Sequence, residues 1–101
     1  MTILEKIIET KKIELEIVKK TISIEDLKKL PNFQRKSISL VNRLKNSSHG
    51  IIAEHKRKSP SKSIINESLK IDQIIQGYNQ ADVCGISVLT DKEYFGGSLS
   101  D

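Results

Sequence analysis

Glu54 and Lys56 stand two residues apart in the run 50-GIIAEHKRKSPSK-62, where an apolar stretch ends in a carboxylate, a cluster of bases and Ser-Pro-Ser. Read as an extended segment, IIAEHK places Ile52, Glu54 and Lys56 on one face and Ile51, Ala53 and His55 on the other. Residues two apart on a strand have α-carbons about 6–7 Å apart, so a carboxylate and an ammonium project from the same strand end. Ionised groups at such a place are costly unless they pair or meet a ligand. The functional reading is a carboxylate and an ammonium aimed at one substrate; the bland one is a solvated strand end with an incidental ion pair. Ser59, Ser61 and Lys62 add hydroxyl and ammonium donors on a segment stiffened by Pro60, although Ser-Pro is also common in plain turns. His55 belongs to the opposite face, where packing is the expected role. His49, in the preceding 46-NSSHG-50 loop, is expected to be solvated.

A second distinctive stretch is 90-TDKEYFGGS-98. Gly96 and Gly97 permit positive φ or close backbone approach, and Ser98 can cap a helix opening at Ser98-Leu99-Ser100-Asp101. A lone GGS is more often just a turn, but Phe95, beside flexible glycines at a strand's C-terminal mouth, could equally flank an aromatic substrate. Cys84 is the single cysteine, which rules out a disulfide framework or thiol metal cluster; inside VCGISVL it reads as a small buried hydrophobe. No P-loop, dinucleotide fingerprint, zinc spacing or serine triad is present.

The elements that must position these residues follow from periodicity. Residues 3–20 carry Leu4, Ile8, Leu15 and Val18 within about 80° of one another, widened by Ile3 and Ile7, which predicts an amphipathic helix. Ser23 caps a short helical turn, IEDLKKL, that Pro31 stops. A third helical piece is predicted around 37–45. After Gly50 the period changes to that of a strand. A loop then runs from Arg57 to about Lys70, longer than the usual 2–6 residues of such connections and commonly functional at that length. Asp72 is the expected cap of a helix, IDQIIQGYNQA, with Ile71, Ile74, Ile75 and Tyr78 on its apolar face. A second strand, 83-VCGISVL-89, is apolar enough for burial on both sides. The order strand, helix, strand is a βαβ unit with parallel strands. Two parallel strands need further cover on both faces and both edges, so the chain is expected to be the front of something larger.

Composition bounds the alternatives. The chain has 101 residues, at most one small domain, with 37% apolar and 30% charged residues. Aromatics are limited to Phe33, Tyr78, Tyr94 and Phe95, so any core rests on isoleucine and leucine. The net charge of +4 arises from 17 bases interleaved with 13 acids. That reads as a lysine-rich surface before a nucleic-acid face, though a small basic helical binding module remains an alternative. Glu5, Lys6 and Glu9 interrupt the first isoleucines, which excludes a signal-peptide core, and nothing approaches the length of a membrane span. A cytoplasmic location is expected.

Together these residues resemble the indole-3-glycerol-phosphate synthase family. IIAEHKRKSPSKS is similar to that family's first-strand signature, an IIAE-hydrophobe-KR-x-SPSKG pattern. GISVLTDKEYFGGSLSD resembles its second strand, following loop and next helix start, and ILEKIIETKK its extra leading helix. The resemblance implies the α/β class and the N-terminal part of a (βα)8 TIM barrel, with 1–47 a helical extension and 48–101 the first βαβ unit. It implies a decarboxylating carbon–carbon lyase of tryptophan biosynthesis that uses no cofactor or metal and takes a small phosphorylated substrate, with no nucleic-acid or membrane partner. Lys56 and Glu54 are then the implied catalytic groups, Ser59 part of the substrate-binding loop and Phe95 a wall for the anthranilate ring. Another phosphate-substrate barrel is the near alternative. Ser63 stands where glycine usually follows SPSK, and His55 where an apolar residue is commoner. The family's principal acid lysine, its base glutamate and most of its phosphate site belong to later strands. The 101-residue piece alone is therefore expected to be inactive.

Overall fold

A computed structural model of the chain describes residues 1–62, 65 and 70–101. Two compact units are present, Met1–Ile38 and Ser39–Asp101. Ser63, the position that departs from the SPSKG pattern, lies outside the described residues.

In the first unit, helix α1 spans Ile3–Thr21 and helix α2 spans Ile24–Lys28. Each begins in a reciprocal capping box. The Thr2 hydroxyl accepts from the Glu5 amide at 3.2 Å while the Glu5 carboxylate accepts from the Thr2 amide at 2.7 Å. Ser23 and Asp26 repeat the arrangement at 3.1 and 2.9 Å, confirming the serine cap read from the sequence. These bonds satisfy amides that a helix start otherwise leaves without partners. They also hold the Asp26 carboxyl below its ordinary range, through the Ser23 backbone N–H first and the Ser23 hydroxyl second. The apolar stripe of α1 is uncovered: Leu4, Ile8, Leu15 and Val18 are all exposed. The five-residue α2 is too short to bury a 19-residue helix.

The second unit holds the strands. Helix α3, Leu40–Lys45, starts three residues later than the sequence pattern suggests, because the Ser39 hydroxyl accepts from the Asn42 amide and caps it there. Strand β1 (Ile52–His55), helix α4 (Ile71–Gln80) and strand β2 (Gly85–Val88) form the expected βαβ unit. The strands are parallel, with Ile52 opposite Gly85, Ala53 opposite Ile86, Glu54 opposite Ser87 and His55 opposite Val88. The ladder continues beyond both ends, from the Cys84 amide to the Ile51 carbonyl at 2.8 Å and from the Leu89 amide to the His55 carbonyl at 3.0 Å.

Helix α4 packs on β1, and its Tyr78 hydroxyl donates to the Glu54 carbonyl at 3.1 Å. Ile71, Ile74, Ile75 and Tyr78 are its half-buried positions, the face read from periodicity. Asp72 does not cap it. Lys70 occupies the cap position without a side-chain bond, and Asp72, already inside the first turn, accepts from the Gln73 amide at 3.0 Å. The helix ends in a Schellman turn, with Val83 donating to the Tyr78 carbonyl, Asp82 donating to that of Asn79, and Asp82 left-handed at φ 56°.

The sheet is covered on one face. Ala53, Ile86 and Val88 are half-buried and His55 is buried, whereas Ile52, Glu54 and Ser87 are exposed. The two-sided burial expected of β2 is thus not realised, since one crossover helix shields one face. Helix α3 reaches the N-terminal ends of the strands. Arg43 donates to the Val83 carbonyl at 3.2 Å, and Leu40 packs so closely on Gly85 that a β-carbon there would lie 2.8 Å from its methyl group. Cys84, 5% exposed, directs its thiol toward the Arg43 carbonyl at 3.8 Å and is the buried small residue anticipated. His49 is not merely solvated: its Nδ1 accepts from the Ile51 amide at 3.1 Å and shapes the entry to β1. Among the described residues no helix is long and apolar enough to cross a membrane.

Candidate active site

Strand alternation puts Glu54 and Lys56 on the uncovered face, and there they meet, Lys56 Nζ to Glu54 Oε1 at 3.1 Å. Lys56 is 39% and Glu54 48% exposed, so the pair lies at the surface of this chain, where such a contact contributes little to stability. The pair joins an ammonium donor to a carboxylate acceptor at the C-terminal end of a parallel strand. That is the place from which α/β folds present functional groups.

Directly after it the chain folds into a tight turn. The Ser59 amide donates to the Lys62 carbonyl at 2.8 Å and the Lys62 amide returns to the Ser59 carbonyl at 3.1 Å. Ser59 Oγ accepts from the Lys62 amide at 3.1 Å and lies 3.2 Å from Ser61 Oγ. The hydroxyl singled out from the sequence is therefore engaged within its own loop, and Ser59 is half-buried.

The loop after β2 lies against this turn. The Lys58 amide donates to the Phe95 carbonyl at 3.3 Å, which brings half-buried Phe95 beside the end of β1. Gly96 has φ 65°, a left-handed conformation that glycine adopts without strain, and the Lys58 stem lies across it. Gly97 is buried against β2 so tightly that a β-carbon would fall 2.1 Å from the Leu89 carbonyl oxygen. The paired glycines thus do both things their composition allows, one a positive φ and the other a close backbone approach. Glu54, Lys56, Ser59 and Phe95 are all carried at one end of the unit.

Two further residues went unread in the sequence. Arg57 Nη2 donates to Asp101 Oδ1 at 2.7 Å, and Asp101 Oδ2 accepts from the Ser98 amide at 3.1 Å. Arg57 is 24% and Asp101 9% exposed. The Arg57 hydrogen bond is the main cause holding the Asp101 carboxyl below its ordinary range, against the opposing effect of burial, with the Ser98 amide and the positive fields of Arg57 and His55 assisting. The available signal was Ser98-x-x-Asp101, the spacing of a capping box. Beginning two residues after Gly96, that turn is closed by the Asp101 amide donating to the Ser98 carbonyl at 3.0 Å. His55 is 5% exposed and its Nε2 has no hydrogen-bond partner among the described residues, in keeping with packing on the covered face.

A cavity of about 490 Å³ opens elsewhere, lined by Arg43, Asn46, His49, Asp82 and Cys84 at the N-terminal ends of the strands. It is remote from Glu54 and Lys56. In parallel α/β folds the N-terminal ends serve stability and the C-terminal ends chemistry, so strand direction outweighs cavity size here. Among the described residues no group of three or more histidines, cysteines or acids stands together as metal ligands.

A parallel βαβ unit whose strands both end in polar, interlocked loops defines an α/β segment of the kind that builds ligand-binding barrels and open sheets. The family model for indole-3-glycerol phosphate synthase matches residues 4–101. Proteins of that name are similar over nearly the whole chain. The one from Bacteroides thetaiotaomicron is 42% identical over 99 residues, covering 98% of this chain and 38% of the relative. One from a Geobacillus species is 45% identical, covering 93% and 34%, and one from Prochlorococcus marinus 43%, covering 95% and 33%. The chain belongs to the indole-3-glycerol phosphate synthase family. It spans between a third and two fifths of the length of these curated relatives.

Proposed function

We infer that the chain is the N-terminal portion of a cytoplasmic indole-3-glycerol-phosphate synthase. Residues 1–47 are the helical extension, and 48–101 supply the first strand, crossover helix and second strand of a (βα)8 barrel. The reaction is ring closure of 1-(2-carboxyphenylamino)-1-deoxyribulose 5-phosphate to indole-3-glycerol phosphate, with loss of CO₂ and water and without cofactor or metal. The observation that carries this reading is the family match across 4–101, with the Glu54–Lys56 pair at the strand end where a barrel holds its chemistry.

Ring closure requires a proton donor at the substrate carbonyl, and the following decarboxylation and dehydration need acid and base groups. Lys56 holds substrate anionic groups or assists as an acid. Glu54, 3.1 Å away, orients that ammonium and tunes its proton transfers. Ser59 shapes the substrate loop through its turn, and Phe95 walls the anthranilate ring. Completion of the site and activity require the rest of the barrel. A basic binding module is less well supported, because helix lysines are matched by acids, Lys11 with Glu14 at 2.7 Å, Lys28 with Glu25 at 3.3 Å and Lys19 with Glu16 at 3.6 Å.

The test is to graft residues 1–101 in place of the matching segment of the Bacteroides thetaiotaomicron relative and assay indole-3-glycerol phosphate formation. The graft is expected to be active, and Lys56→Ala within it to lose about 100-fold or more in kcat. Full activity in Lys56→Ala would sink the role given to Lys56; an inactive graft would sink the functional reading itself.

A further inference from the structure

We propose that Arg57 and Asp101 are positioning residues whose ion pair clamps the loop after β2 onto the end of β1, and so sets where Phe95 stands relative to Lys56. The consequence for substrate rests on the reading of Lys56 and Phe95 given above; the clamp itself does not.

The geometry is local and specific. Arg57 follows Lys56 directly, so a constraint on the Arg57 guanidinium is a constraint on the backbone that carries Lys56. Asp101 follows the Phe95–Gly96–Gly97 turn by one bend and is tied to it through the Ser98 amide at 3.1 Å. Between these anchors the Lys58 amide bonds the Phe95 carbonyl at 3.3 Å, and the Lys58 stem covers Gly96. The Arg57–Asp101 contact, at 2.7 Å, is the shortest link across the two loops and the least exposed ion pair described in the chain. A charge-assisted bond of this kind is roughly twice as strong as a neutral one. The Lys58–Phe95 bond, longer and neutral, is in position to open once the clamp is released. By contrast Glu54–Lys56 is open to water and free to be redirected to a ligand. The two ion pairs therefore have different roles: the half-buried one fixes the loops and the more exposed one faces the substrate.

The structural arm uses the 101-residue chain. Carbon-detected NMR follows the Asp101 carboxyl through acid titration, with Arg57 and His55 as its neighbours. Its midpoint is expected below the ordinary carboxylate range, and the Lys58, Phe95 and Gly97 amide signals are expected to move with it. An ordinary midpoint, or loop amides that ignore the titration, would overturn the clamp. Asp101→Asn and Arg57→Gln are each expected to raise exchange of the Lys58 amide about ten-fold while the Cys84 amide, at the other end of the ladder, is unchanged. Arg57→Lys, which keeps the charge without the planar fork, should restore part of the protection. Unchanged Lys58 exchange refutes the proposal. If a variant unfolds, Cys84 exchange rises equally, and the titration of the unsubstituted chain then decides.

The functional arm uses the graft described above. Asp101→Asn is expected to raise KM for the carboxyphenylamino-deoxyribulose phosphate about ten-fold with a smaller change in kcat, since it displaces the ring wall while the Glu54–Lys56 contact is retained. Arg57→Gln should raise KM to a similar extent, and Arg57→Lys by less. An unchanged KM would overturn the positioning role. A graft inactive before any substitution would reject the functional reading, leaving the clamp to stand or fall on amide exchange.

Discussion

Replacing Gly97 and Gly77 by alanine in turn should change stability in opposite directions. At Gly97 a β-carbon would lie 2.1 Å from the Leu89 carbonyl oxygen, 2.8 Å from Thr90 Cα and 2.9 Å from the Thr90 carbonyl carbon. All three are backbone atoms, so no rotamer change relieves the clash. Relief requires the loop to lift from the end of β2, which breaks the 2.7 Å bond from the Gly97 amide to the Asp91 carbonyl. Overpacking costs about 1–3 kcal/mol, and the lost bond about 0.5–1.5 kcal/mol. The reduced freedom of the unfolded chain offsets about 0.4–1 kcal/mol of this, leaving a net loss of about 0.5–4 kcal/mol. Gly77 lies inside α4 with nothing within 4 Å of the added carbon. Alanine there should stabilise by roughly 0.8–1 kcal/mol, the difference in helix propensity. Urea denaturation followed by far-ultraviolet circular dichroism measures both, with equal slopes required before midpoints are compared. Gly97→Ala at wild-type stability would refute the close seating of the loop, and with it the placement of Phe95 beside β1.

Tyr78→Phe removes the hydroxyl that joins α4 to the Glu54 carbonyl, and should cost about 0.5–1.5 kcal/mol in the same denaturation assay. Ser23→Ala should cost about 1 kcal/mol by loss of the α2 cap, detected as reduced protection of the Asp26 amide in hydrogen exchange. The depressed Asp26 carboxyl contributes stability that is fully present above its unfolded pKa and is lost as pH falls through the lower folded value. The Ser23→Ala chain should therefore show a weaker acid dependence than wild type, because one of the two bonds favouring the carboxylate is gone.

The helices and the strand order were legible because their signals are local. A 3.6-residue period marked α1 and α4, a serine before an acidic turn marked α2, and alternation after Gly50 marked β1. The misread cap of α4 has a local cause too: Asp72 is a good cap type, but the chain already turns helical at Ile71. Burial was harder to read. The apolar stripe of α1 predicted cover that its own unit does not supply, and the apolar composition of β2 predicted two covered faces where one is present. Amphipathic patterning states what a face requires, not whether the described chain contains the partner.

For the candidate site the division is similar. The sequence alone put Glu54 and Lys56 on one face and His55 on the other, because side chains on a strand alternate with a period of two. It also marked Gly96 and Gly97 as positions of unusual backbone. That the Glu54 and Lys56 charges touch, that Ser59 spends its hydroxyl inside its own turn, and that Arg57 finds Asp101 were decided by the tertiary structure. The last contact joins residues 44 apart in the chain. Their proximity depends on the parallel pairing of β1 with β2, which brings both strand ends to the same edge. Periodicity reports which way a side chain points, whereas its partner depends on which strand end is folded alongside.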